Sequence, residues 1–153
     1  MKINKPFTVL TTVAIVCGAM LSMPAFGQKD TKLSDAEIAS VAVTANQIDI
    51  EYAQIAQKKS KNADVLKFAE TMATDHQSVI NQAVALATKL GVTPKDNATT
   101  QSFLAGAIKT KAMLNSKKGN AYDKGYINNE VAYHKAAINE VENVLIPTQQ
   151  TAN

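Results

Sequence analysis

Apolar residues in this 153-residue chain recur at alternating steps of three and four, over stretches too long for any element but helix. One series runs Ile38, Val41, Ala45, Ile48, Tyr52 and Ile55. A second runs Val65, Ala69, Met72, His76, Val79, Ala83, Leu86 and Leu90. A shorter face comprises Phe103, Leu104, Ala107, Ile108 and Leu114. A last series takes Ile127, Val131, His134, Ile138, Val141 and Leu145. No segment alternates with period two. The expectation is an all-α, antiparallel helical bundle of three long helices and one short one.

The punctuation between these series agrees with them. Ser34 and Glu37 have capping-box spacing, with Leu33 and Ile38 as the matching hydrophobic staple. The lysine-rich stretch at Lys58-Lys59-Ser60-Lys61 ends the first helix, and Asn62 can cap the second. Gly91 is a C-terminal stop, and Pro94 keeps the following loop out of helix. Asp96 or Asn97 caps the short helix, from about Ala98 to Asn115. Gly119-Asn120 breaks the chain again before a last helix from about Tyr122 to Ile146, which Pro147 stops.

The first 27 residues read as a secretory signal peptide rather than as part of the fold. Lys2 and Lys5 form a basic start, Phe7 to Met20 is apolar, and Ala25-Phe26-Gly27 supplies the small residues a signal peptidase reads. Cleavage is expected before Gln28, leaving a flexible N-terminus at 28–33, a bundle domain at 34–147 and a tail at 148–153. The apolar stretch is too short for a membrane span, and none is expected after cleavage. Localisation is therefore the periplasm or the exterior. Cys17 leaves with the signal, so the mature chain holds no disulfide, cysteine nucleophile or iron–sulfur cluster. Removing Lys2 and Lys5 from the 16 basic residues leaves 14 against 13 acids, a net charge of +1. With no arginine in the chain, nucleic-acid binding is not expected.

The chemistry rests on the two histidines of the chain, both at core-facing positions of long series. Buried imidazole needs a partner. Asp75 precedes His76 directly, and Glu130 lies one helical turn before His134. Glu51, Asp75 and Glu130 all flank the seams. Three helices could thus direct His76, His134, Glu51, Asp75 and Glu130 into one interior site, suited to one iron, manganese, zinc or copper ion. The alternative is a metal-free polar network, since acids beside a seam commonly pair with lysines. Asp49 and Glu142 read as solvent-facing. Tyr52, Tyr122, Tyr126 and Tyr133 read as packing or rim residues, and Met72 and Met113 as core filling. No phosphate loop, dinucleotide fingerprint or nucleophile elbow is present, so no catalytic residue is assigned.

Ile48-Asp49-Ile50-Glu51, the run from Phe68 through Asp75-His76, and Tyr126-Ile127 with Val131 through His134 resemble the exported bacterial domain-of-unknown-function family 4142. The resemblance extends from about Ser34 to Pro147. It implies a ferritin-like bundle of the cell envelope, without an established activity. The Glu-x-x-His pairs of ferritin-like di-iron sites are replaced here by adjacent Asp75-His76 and by Glu130 four residues before His134. A single-metal or metal-free structural module is therefore expected over a di-metal oxidase or peroxide-handling enzyme. The resemblance also implies a further C-terminal helix that this chain lacks, and a homodimer would cover the face so left.

Overall fold

The computed structural model describes residues 32–146. The signal peptide, its cleavage point before Gln28, Pro147 and the tail at 148–153 lie outside the described residues. Four α-helices follow in order: α1 (Asp35–Lys59), α2 (Ala63–Lys89), α3 (Ala98–Ser116) and α4 (Gly119–Glu140), with one π-helical turn at Val141–Leu145. No strand occurs among the described residues, and the all-α bundle is as expected. No described helix is long and apolar enough to cross a membrane.

Local chemistry sets the helix limits. Ser34 and Glu37 close the capping box: the Ser34 side chain accepts from the Glu37 N–H, and the Glu37 carboxylate accepts from the Ser34 N–H at 2.9 Å. The Asn62 side chain accepts from the N–H groups of Asp64 and Val65. Asn97, rather than Asp96, caps α3. Gly91 takes φ +67°, the left-handed conformation that ends α2, and Gly119 takes φ +53° where α4 begins.

α1 is the central element and packs against each of α2, α3 and α4. Its middle is buried on more than one face, through Ile48, Asp49, Ile50, Tyr52, Ala53 and Ala56. Around it, Val65 and Ala69 from α2, Ala107 and Leu114 from α3, and Tyr122 and Tyr126 from α4 complete the core. The Lys59 ammonium donates to the carbonyls of Leu114 and Asn115, capping the end of α3. Ser60 Oγ donates to Asp123 at 2.6 Å. At the opposite end, the Lys95 N–H donates to the Ala36 carbonyl at 2.8 Å and Asn97 Nδ2 to the Glu37 carbonyl at 3.1 Å.

Three of the expected faces are corrected. On α3, Leu104 and Ile108 are exposed, and Met113, expected as core filling, is exposed too. The second half of the α2 series is open, with Val79, Leu86 and Leu90 all exposed, because the C-terminal half of α2 packs mainly on α1. On α4 the buried face is Tyr122, Tyr126 and Glu130, while Val131 and Ile138 are more than half exposed. Tyrosine has the larger apolar body, and the wide gap beside the small side chains of Ala53 and Ala56 accommodates rings better than branched aliphatics.

Removing a side chain that packs should cost far more than removing one that merely fits the period. Leu114→Ala, at a fully buried position, should lower the unfolding free energy by about 2–5 kcal/mol. Leu90→Ala, at a position 62 % exposed, should change it by about 0.5 kcal/mol or less. Urea unfolding of both variants followed by circular dichroism checks the assignment, and equal costs would refute it.

Candidate metal centre

Three helices meet around one carboxylate. Asp49, in the middle of α1, is fully buried. His76 Nε2 of α2 lies 3.2 Å from its Oδ2, and His134 Nε2 of α4 lies 3.5 Å from the same oxygen. One donor atom from each residue can be chosen so that all three lie within 4.8 Å of one another. The two imidazole rings sit 5.5 Å apart, tilted by 53°.

The hydrogen bonds on the far side of each ring fix its tautomer. Asn46 Nδ2 donates to the Ala42 carbonyl at 2.7 Å, so the atom it turns toward His76 is its carbonyl oxygen. His76 Nδ1, 2.6 Å from that oxygen, must therefore carry a proton. His134 Nδ1 lies 2.9 Å from the Glu130 backbone carbonyl, one helical turn back, and must likewise donate. In the neutral state both Nε2 atoms then present lone pairs to Asp49. Among the described residues no backbone, amide or lysine donor reaches Asp49; only the two Nε2 atoms and the Glu130 carboxyl face it. A second bond that locks the ring with Nε2 free is the usual arrangement around a metal-ligating histidine. The spacing of each Nε2 from Asp49 fits too, because two ligands about 2.1 Å from one ion in tetrahedral array lie about 3.4 Å apart.

The electrostatics concentrate charge at this point. Hydrogen bonding to Asp49 favours the protonated His76 ring and raises its pKa; burial opposes this, and the charges of Asp49 and Asp75 add to it. Glu130 is buried beside Asp49, and its Oε2 has no partner. Burial first, and then the charge and hydrogen bonding of Asp49, push the Glu130 pKa well above the carboxylate range. Tyr133 braces the site by donating its hydroxyl to the Ala45 carbonyl at 2.8 Å.

Comparison with family profiles matches residues 21–153 to a domain of unknown function, DUF4142. The chain belongs to that family. Comparison with curated proteins and with solved structures gives no match. The DUF4142 description carries no activity, so function is argued from the site alone.

Of the residues expected to converge in this DUF4142 chain, His76 and His134 come together, with Glu130 packed beside them. Glu51 does not join them: it is partly exposed and paired with Lys111 at 2.6 Å. Asp75 is exposed and turned away, and acts on His76 only through its charge. The reading of Asp49 as solvent-facing is corrected, since it is the buried carboxylate on which both histidines converge. Periodicity missed it because α1 is enclosed on several sides, so a residue beside the seam is as buried as one on it. The legible signal was an acid held between Ile48 and Ile50. Asn46, which orients His76, left no such sign.

The tyrosines extend the buried polar stripe away from the histidines. Tyr122, Tyr126, Glu130 and His134 recur every four residues along α4, and the hydroxyls of Tyr122 and Tyr126 are buried without a partner. Burial raises Tyr122 to about 12, and it raises Tyr52, Tyr126 and Tyr133 above the usual phenol range as well. Each phenol keeps its proton in the folded state at a pH where the unfolded chain, titrating near about 10, has lost it. Unfolding therefore releases protons, and stability falls as pH rises above about 10. In an alkaline titration, phenolate absorbance should appear together with loss of helical signal. Tyrosine ionisation in a chain still fully helical at about pH 10 would contradict this burial.

Proposed function

We propose that the protein is an exported helical-bundle module that binds one transition-metal ion through Asp49, His76 and His134. One observation carries the reading. Two imidazoles, each with Nδ1 committed elsewhere, aim Nε2 lone pairs at one buried carboxylate that no backbone, amide or lysine donor reaches among the described residues. Lone pairs facing a carboxylate repel unless a cation lies between them. Two imidazoles and one carboxylate form a donor set for iron(II), manganese or zinc, with copper also accommodated. Glu130, whose pKa burial raises, stands beside the site as a polar neighbour. Export rests on the signal sequence at 1–27, and the homodimer expected from the sequence remains part of the proposal.

A second reading has its own support. The raised pKa of His76 favours a protonated ring donating to Asp49, which would make the cluster a metal-free structural network of the cell envelope.

The two readings part on one experiment. The protein is purified from the periplasmic fraction without chelator or affinity-metal column and examined by native mass spectrometry. The metal reading expects one ion per chain, absent in His134→Ala and in Asp49→Asn. It also expects metal to raise the melting temperature of wild type only, by an amount equivalent to about 2.7 kcal/mol at a hundredfold excess over the dissociation constant. An apo mass, with His134→Ala destabilised equally with and without added metal, would establish the structural network instead. The same spectrum reads the oligomeric state.

A further inference from the structure

Beside the three ligand residues lies a cavity of about 190 Å³. Asp49, His76 and His134 form one side of it. Val41 and Ala45 of α1, Phe103 of α3, and Ala137, Val141 and Leu145 close the rest. For scale, an aliphatic cavity of about 150 Å³ accepts benzene. Of the polar side chains on its wall, Asn46 is held by Ala42 and His76, and the Tyr133 hydroxyl by Ala45. Apart from the Glu140 carboxylate, mainly hydrocarbon and the ligand atoms are left to meet a guest.

The far wall is made by an uncommon element. Val141–Leu145 is a π-helical turn, in which the Ile146 N–H bonds the Val141 carbonyl five residues back. Such turns widen a helix locally and occur often at functional sites. Here Val141 and Leu145 both line the cavity, and Val141, 43 % exposed, stands at its mouth. An uninterrupted α-helix would turn these residues to a different angle and alter that wall.

We propose that this cavity is a binding site for a small molecule with a hydrocarbon body about the size of one aromatic ring and a single donor atom that coordinates the metal. The inference rests on the metal reading above. Three protein ligands leave an open coordination position, as in metal sites that bind exogenous molecules, and the cavity is the space onto which the three ligand residues face. Selectivity follows from size and polarity. A guest of one ring fits, a guest of two rings does not, and a guest without a donor atom gains only burial of its apolar surface.

The test uses the purified protein loaded with cobalt(II), with pyridine as the probe and 4-phenylpyridine as its oversized counterpart. Cobalt content after desalting reports the metal reading by itself, and the visible absorption of bound cobalt reports the guest. Pyridine should change that spectrum saturably at one per cobalt, and 4-phenylpyridine should bind at least tenfold more weakly. Ala45→Leu and Ala137→Leu, which fill the cavity from two different helices, should retain cobalt and lose the pyridine response at least tenfold. Cobalt bound with no pyridine response, or with equal binding of both probes, overturns the cavity proposal and leaves the metal reading standing. Folded variants that still bind pyridine as wild type does also overturn it. Should both variants fail to fold, the comparison of the two probes on wild type still decides. A protein that takes up no cobalt overturns the metal reading and this inference together.

Discussion

The structure turns on one carboxylate removed from water. An ionised side chain in the interior is costly unless it is paired, and removing its partners is costlier still. Asp49 sits at the middle of the helix that every other helix touches, so its neighbours come from three directions. α2 brings His76, α4 brings His134, and the same charge, with burial, raises the pKa of Glu130. Packing and electrostatics are thus the same problem here: the helices that bury Asp49 are also those that supply its polar partners.

The histidines are held by backbone and amide groups that belong to the helices themselves. His134 uses a carbonyl one turn back on α4, a partner any helix provides at that spacing. His76 uses Asn46, which is in turn fixed by the carbonyl of Ala42. Ring orientation consequently follows from helix geometry and costs little additional ordering. The contacts at the two ends of the bundle keep the helices in register. Lys59 and Ser60 tie α1 to the α3–α4 junction, and Asn97 and Lys95 tie the α2–α3 loop to the start of α1. By contrast, the Glu51–Lys111 pair lies at a partly exposed position and contributes about 0–1 kcal/mol.

Much of this fold was legible in the sequence because caps and stops are local. Ser34 with Glu37, Asn62, Gly91 and Asn97 each act within one turn, and all mark the helix limits that the structure has. Facing was less legible because it is set by partners. The heptad series placed Val131 and Ile138 inward, yet Tyr122 and Tyr126 took the core and turned those residues out. On α2 the period continues to Leu90, but the ring contacts with α4, through Phe68 and His76, lie earlier on the helix. The site was half legible for the same reason. Histidines on a seam draw attention by type, whereas an aspartate beside a seam looks like an ordinary flank until the helix proves to be enclosed. Glu51 and Asp75 met the same flanking criterion and lie where a lysine or water meets them.

What supports a metal ion over a proton between these groups is a matter of counting. A protonated His76 can donate Nε2–H to Asp49 Oδ2, while His134 still aims at the same atom from 3.5 Å. Protonating both rings would place two cations 5.5 Å apart between ring centres, a repulsion that strengthens as the effective dielectric falls below that of water. Protonating one leaves the other lone pair facing a carboxylate. A single divalent ion of the kind proposed would answer all three groups at once, accepting both lone pairs and the carboxylate charge. Asn46 and the Glu130 carbonyl hold Nδ1 of each ring as a donor and so leave both Nε2 lone pairs facing Asp49 in the neutral state, whichever ion lies between them.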